Sequence, residues 1–403
     1  MRDIVEEVLS RGDQRTPPGE VQDVRVAVVG VGRRGVGRLS GIGRRLRDEA
    51  FSGQVPTDID AVGVDLPGEE TSVEDWTPTA WHVVESLERP DRDGRPHLTP
   101  AATDRLRRFA GDELDRYDVL VEAADGTDPA AVSVASDLAA AFRGGIASPV
   151  ICVPTVAPEN PPAPLLGAES GWLPDTRDRF GPDAVVPVEH GRATEVVAGE
   201  ACDRGPLATG GEDPVERVAE DVTAALAGAL GTRTQFESLA DDLHHLRGRV
   251  IAHVGRDDEG PRIDADALAG DALATPVSDE PPEWRPGGPW LAHLRTPDPD
   301  DDDIDAAVEA AGAALDDAAD IDGGDRPATL RSYRLTERGP HGLFLFRVEA
   351  PEEPEGEPLP HIDWNGTDRA DVDLGRESLE DPDEGETANG AADEAGSGLD
   401  VVR

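Results

Sequence analysis

The sequence predicts an α/β protein with a doubly wound, mainly parallel sheet, followed by a central helix, a smaller α+β unit and a disordered acidic tail. Three observations predict it. Residues 24–29 are a β-branched run that stops at Gly30, Gly32 and Gly35 and resumes as a helix from Leu39, the mark of a first βα unit with a strand buried on both faces. Short apolar runs then alternate with helical patterns, as parallel sheets require. Finally, residues 213–230 form one long apolar-striped helix, beyond which the pattern shrinks to β-α-β-α-β-β.

Taken in order, residues 4–9 are a short amphipathic segment closed by Pro17, Pro18 and Gly19. Residues 59–65 read as the second strand and 81–84 as a brief one. Thr99 and Pro100 start a helix running to about residue 114, an N-cap followed by proline in the first turn. Residues 117–122 are a buried strand, 123–129 a second strand-to-helix loop, and 130–142 its helix. Strands follow at 148–155 and 183–188, the latter ending in a loop at 189–192. Asp213 caps the long helix and Pro214 opens it; Val215, Val218, Val222, Leu226 and Ala229 form its stripe, with Glu216, Glu220 and Asp221 on the far side and Gly231 as its stop. Strands at 249–254 and 290–295, helices at 264–273 and 304–315, and a final hairpin of 330–335 with 343–348 complete the smaller unit. The domain expectation is a 1–21 extension, a 22–212 nucleotide-binding-like domain, the 213–231 helix, a 232–350 domain and a 351–403 tail with too few apolar residues to fold.

Composition narrows the chemistry. The chain has 403 residues, a formal net charge of −47, and no lysine: all 38 Lys-plus-Arg cations are arginine. Such acidity suits a salt-loaded cytoplasm, where a Debye length of about 3 Å at molar salt mutes self-repulsion. It argues against nucleic-acid binding, which needs a basic face. Without lysine there is no Walker-type phosphate lysine and no Schiff base. Cys152 and Cys202 are too few for a disulfide framework or a zinc site, and Cys152 reads as a small core residue. The adjacent His244 and His245 would face different sides of a helix and do not make a metal set. No apolar stretch has transmembrane length and no signal-like start is visible, so a cytoplasmic protein without membrane insertion is expected.

The motifs leave two readings. Gly30, Gly32 and Gly35 match the spacing of a dinucleotide fingerprint, which would make the chain an NAD(P)-dependent oxidoreductase with Arg33 or Arg34 on a 2′-phosphate. That fingerprint wants an acid about 20 residues on, and Asp65 lies beyond that spacing. The other reading comes from the order of parts: a glycine loop, a Gly126–Thr127 loop, one long helix, a small mixed domain, and an acidic tail with a short apolar tip.

That order resembles the FtsZ/tubulin superfamily (FtsZ and CetZ) over roughly residues 22–350. In that family the first glycine loop touches the nucleotide. Residues 26–32 match it, while Arg33, Arg34 and Gly37 stand where the family continues with glycines and an asparagine. The family's phosphate loop corresponds to residues 123–129, which keep Gly126 and Thr127 and set Asp125 and Asp128 beside the phosphates. Residues 183–192, with Arg192, correspond to the strand and loop that approach the guanine, and Asp213 to an aspartate on the base. Where the family's hydrolytic acids stand, the stretch 233–242 has Gln235 and Ser238, with Glu237 at another spacing.

The resemblance thus implies a divergent cytoskeletal or cell-division-associated protein that binds GTP or GDP weakly or not at all. It would be a degenerate GTPase, working by assembly with itself or with active homologous subunits. The site residues it implies are Gly30, Gly32, Arg33, Arg34, Gly35, Asp125, Gly126, Thr127, Arg192 and Asp213. The tip, from Leu399 through Asp400, Val401 and Val402 to Arg403, would be a tethered peptide for a partner.

Overall fold

The computed structural model describes residues 24–49, 54–88, 96–143, 149–156, 182–204, 213–231, 248–256, 264–274, 276–278, 285–286, 290–296, 301–318, 329–335 and 341–349. The segment at 4–9, the stretch 233–242 with Gln235, Glu237 and Ser238, His244, His245 and the tail 351–403 with its tip lie outside the described residues.

The first strand, β1 (Val26–Val31), is buried at every position, as its β-branched run requires. It leads directly into α1 (Gly32–Glu49). β2 (Ile59–Asp65) and β3 (Ala80–Val83) follow, then a small antiparallel pair, β4 (Leu87–Glu88) with β5 (His97–Leu98). Helix α2 (Pro100–Phe109) starts as read, with the Thr99 side chain accepting from the Ala102 N–H, and ends in a wide π turn over Ala110–Leu114. β6 (Val119–Asp125), α3 (Pro129–Arg143) and β7 (Val150–Val156) form the next unit.

The expected strand at 183–188 is two pieces, β8 (Ala184–Val185) and β9 (Val188–Glu189). Pro187 has no N–H to donate, so the ladder breaks before it. The expected loop at 189–192 is not formed: Glu189 ends β9 and α4 (His190–Arg204) starts at once. The long helix, α5 (Pro214–Gly231), is capped by Asp213, which accepts from the Val215 N–H at 3.1 Å. The remaining elements are β10 (Gly248–Arg256), α6 (Ala265–Ala274), β11 (Arg285–Pro286), β12 (Trp290–Thr296), α7 (Asp301–Ala318), β13 (Thr329–Leu335) and β14 (His341–Glu349).

The main sheet runs β13-β12-β14-β10-β8-β7-β6-β1-β2-β3, parallel from β8 to β3. The expected final hairpin is not formed. β12 lies between β13 and β14, parallel to the first and antiparallel to the second. The reason is burial: residues 290–295 of β12 are buried throughout, so this strand takes an interior place. The α7 crossover then returns the chain as a parallel neighbour. β10 also pairs parallel with β8, at Gly248 with Ala184 and Arg249 with Val185, so the strands beyond α5 continue the sheet.

The helices divide between the faces. α1, α4 and α5 pack on one face over Val28, Val121 and Val153; α2 and α3 cover the other over Val29, Leu120 and Cys152. Cys152 is buried and in register with Glu122, and burial together with that carboxylate pushes its thiol well above the usual range. α5 is buried from Val222 to Leu230 and touches strands on both sides of it in the chain, β1, β6 and β7 before it and β13 and β14 after it. Among the described residues no helix is long and apolar enough to cross a membrane.

On β10, His253 is fully buried, with Nδ1 3.1 Å from the Ala272 carbonyl oxygen, and desolvation lowers its pKa to about 4. The unfolded chain takes up this proton near pH 6.5 and the folded chain only near 4. Stability therefore falls as pH drops between the two, by about 3 kcal/mol over the window. Equilibrium unfolding as a function of pH checks this, and His253→Gln is expected to flatten that part of the profile.

Candidate functional site

The crossovers from β1 through α1 and from β6 through α3 leave the sheet on opposite faces, because β1 connects to β2 on one side while β6 lies on the other. The crevice between the carboxyl ends of β1 and β6 is therefore a topological switch point, the place where open α/β sheets bind ligands. Two helix N-termini meet there. An added Cβ on Gly32 would stand 3.4 Å from Ala131 in the first turn of α3, and neither helix has an acid in its first turn.

The glycines make this corner possible. Gly32 opens α1 at φ +70°, a left-handed conformation. Gly35 lies against the next strand: an added Cβ would be 2.2 Å from the Ala123 carbonyl oxygen. An added Cβ on Gly30 would be 2.6 Å from the Gly35 carbonyl oxygen, so these two glycines set how closely α1 approaches β1 and β6. Gly126 donates its N–H to the Thr155 carbonyl at 2.9 Å, and its own Cβ would meet that oxygen at 2.7 Å.

The loop between β6 and α3 is short, with Gly126, Thr127 and Asp128 alone between the elements. Asp125 Oδ1 accepts from the Thr127 N–H at 2.9 Å and the Thr127 hydroxyl at 2.6 Å, and Oδ2 lies 3.4 Å from Arg34 Nη1. Asp128 does not face that space through Oδ1, which accepts from the Ala130 N–H at 2.9 Å and so caps α3. Arg33 is exposed beside Arg34 on the first turn of α1.

Sequence reasoning missed the residue beneath this corner. Arg38 is 2% exposed. Its Nη1 donates to the Ala124 carbonyl at 2.8 Å, its Nη2 to Thr155 Oγ1 at 2.7 Å and to Glu216 Oε1 at 3.2 Å, and its Nε to Glu216 Oε2. One guanidinium thus ties α1 to the ends of β6 and β7 and to the first turn of α5. Two turns further along α1, Arg45 pairs with Glu220 and Asp221 and donates to the Arg217 carbonyl at 3.1 Å. The acids expected on the far side of the α5 stripe therefore face α1. The signal was present in the sequence: arginines at 38 and 45 border the stripe of Val36, Leu39, Ile42 and Leu46, and α5 carries acids at 216 and 220.

The structure brings Gly30, Gly32, Arg34 and Gly35 together with Asp125, Gly126 and Thr127. Arg192, on the first turn of α4, pairs with Glu195 at 3.0 Å, and Asp213 caps α5, so each of these is engaged within its own helix. Asp65, the acid considered for a dinucleotide ribose, is 3% exposed and accepts from Trp81 Nε1 at 3.1 Å and from the Thr71 hydroxyl. Burial raises its pKa. Among the described residues no cluster of His, Cys, Asp and Glu could hold a metal ion.

No family model and no curated protein matches the sequence. Solved structures match the fold across most of the chain. An FtsZ dimer of M. jannaschii is 14% identical, with a TM-score of 0.53 over 86% of this chain and 92% of that one. CetZ2 of Haloferax volcanii, in a GTPγS-bound protofilament, is 16% identical with a TM-score of 0.55, covering 82% and 95%. TubZ of Bacillus thuringiensis serovar israelensis, in a GTPγS-form protofilament, is 14% identical with a TM-score of 0.53, covering 87% and 91%.

Removing one partner of a buried ion pair strands the other. Arg38→Met is expected to cost about 3–5 kcal/mol in denaturant unfolding, and adding Glu216→Gln to recover part of that loss. Gly37, with nothing within 4 Å of an added Cβ, and Gly35 make a matched comparison. Gly37→Ala is expected to stabilise by about 0.5–1 kcal/mol, and Gly35→Ala to cost about 3 kcal/mol or more, both read as a shift in unfolding midpoint. The identity that these observations reach is one of architecture: the chain has the fold of the FtsZ/tubulin superfamily.

Proposed function

We propose that this chain is an FtsZ/tubulin-like cytoskeletal protein associated with cell division. It assembles with copies of itself or regulates active homologues, and it hydrolyses GTP weakly or not at all. The observation that carries the reading is the switch-point corner within this fold. Its glycine-set helix N-termini are those of an anion site, yet arginines occupy glycine positions and Asp125 holds the loop's donors. Solved proteins of the same fold form dimers and protofilaments, two of them with GTPγS, which supports assembly as the activity and a guanine nucleotide as the ligand of this corner.

The domain division expected from the sequence belongs to the same reading, with α5 as the element between a nucleotide-binding-like part and a smaller part. Arg192 and Asp213 remain proposed base-side residues, and the 399–403 tip a proposed partner peptide. A cytoplasmic location in concentrated salt fits the charge of −47.

The test is sedimentation and light scattering in concentrated KCl, with the protein alone or mixed with an active FtsZ-like homologue, in the presence of GTP, GDP or no nucleotide. Phosphate release is measured in parallel. Assembly alone or co-sedimentation with the homologue is expected, with turnover at least about tenfold below the homologue's, equivalent to about 1.4 kcal/mol of lost transition-state stabilisation. Turnover equal to the homologue's would overturn the degenerate-GTPase part, and absence of assembly and association in every condition would overturn the cytoskeletal part. NADPH raising the melting temperature where GTP and GDP do not would favour the oxidoreductase alternative.

A further inference from the structure

The switch point already contains an anion. The Asp125 side chain is 12% exposed, accepts hydrogen bonds from the Thr127 main-chain N–H at 2.9 Å and the Thr127 hydroxyl at 2.6 Å, and is ion-paired with the Arg34 guanidinium at 3.4 Å. A backbone amide in a tight turn, a hydroxyl and an arginine are the donors that a phosphoryl group takes. Turn-shaping alone accounts for the Thr127 contacts. It does not account for Arg34, which reaches from the first turn of a different element while its own side chain remains 58% exposed. Nor does turn-shaping need a charge, since a neutral asparagine closes the same turn.

The loop is held at three points. Gly126 is bonded to the Thr155 carbonyl, Ala124 is held through its carbonyl by Arg38, and Asp128 is fixed as the α3 cap. A phosphoryl group entering the corner therefore meets the carboxylate in place, with like charge against it.

We propose that the Asp125 carboxylate is an internal competitor for the phosphoryl group, occupying the anion subsite and holding down the affinity of the site for nucleotide. This rests on the reading of the corner as an anion site. It makes Asp125 the residue that determines affinity there, and it locates the divergence from a nucleotide-loaded site in one side chain.

Calorimetric titration of GTP and of inorganic pyrophosphate into the full chain in concentrated KCl, with and without Mg2+, tests it. The proteins are the parent, Asp125→Asn, Asp125→Ser, and Asp125→Asn combined with Arg34→Gln. Asparagine and serine both retain an acceptor for the Thr127 N–H, and thermal melting verifies that each variant is folded. Both single variants are expected to bind pyrophosphate and GTP about tenfold or more tighter than the parent, the scale of a removed like charge. The double variant is expected to lose that gain, because Arg34 is then missing as a donor. Equal binding by the parent and both single variants overturns the competition while leaving the anion site standing. Tighter binding by the parent in Mg2+ also overturns it, since the carboxylate would then be holding the phosphate through a cation. No binding by any of the proteins overturns the anion-site reading and this inference together.

Discussion

Arg38 places a full positive charge under the carboxyl ends of β6 and β7, at 2% exposure, and its surroundings are arranged to answer that charge. A buried guanidinium is tolerable only if its donors are met. Here they reach a main-chain carbonyl, a threonine hydroxyl and a carboxylate, on three different elements. The requirement works in both directions. Helix α5 must present Glu216 at its first turn, and β6 must end where the Ala124 carbonyl is free to turn toward α1. The loop that follows, from Asp125 to Asp128, inherits its place from that anchoring.

The same side of the molecule shows how little room is left between layers. Gly41 of α1 faces Glu220 of α5 so closely that an added Cβ would stand 2.0 Å from the carboxylate, and Gly35 faces the Ala123 carbonyl at 2.2 Å. Gly35 lets α1 approach β6 within backbone distance, and Gly41 leaves room on α1 for the Glu220 carboxylate of α5. Two ion-paired arginines on either side of that contact, Arg38 and Arg45, then hold α1 and α5 in one register. With no lysine in the chain, arginine makes these pairs, and the planar forks of Arg38 and Arg45 each meet several acceptors at once.

The corner above Arg38 follows from this rigidity. Two helix N-termini, Arg33 and Arg34 offer positive potential within a chain whose net charge is −47. A carboxylate that faces them is supplied by the strand end itself, at Asp125. Donors at this corner are answered internally, by the Asp125 carboxylate.

Much of this was legible in the sequence because it depends on neighbours in the chain. The β-branched run of β1, the Thr99 and Asp213 caps, the bounds of β2 and the long helix α5 follow from periodicity and capping chemistry, which act within a few residues. The glycine corner and its partner loop at Gly126 and Thr127 were visible for the same reason. The strand break at Pro187 was also local, but it was outweighed by the apolar run around it. What the chain could not declare locally was which elements would meet. The 330–335 and 343–348 strands look like a hairpin until β12 takes the interior position between them. Glu216, Glu220 and Asp221 lie off the apolar stripe of α5, and only packing shows that α1 covers them. Arg38 and Glu216 are separated by 178 positions, and they meet because α1 and α5 pack on the same face of one sheet. The sequence by itself determined the elements and the corner where β1 turns into α1. Only the tertiary structure decided which charges would be buried together, because burial is a property of packed layers and not of any one segment.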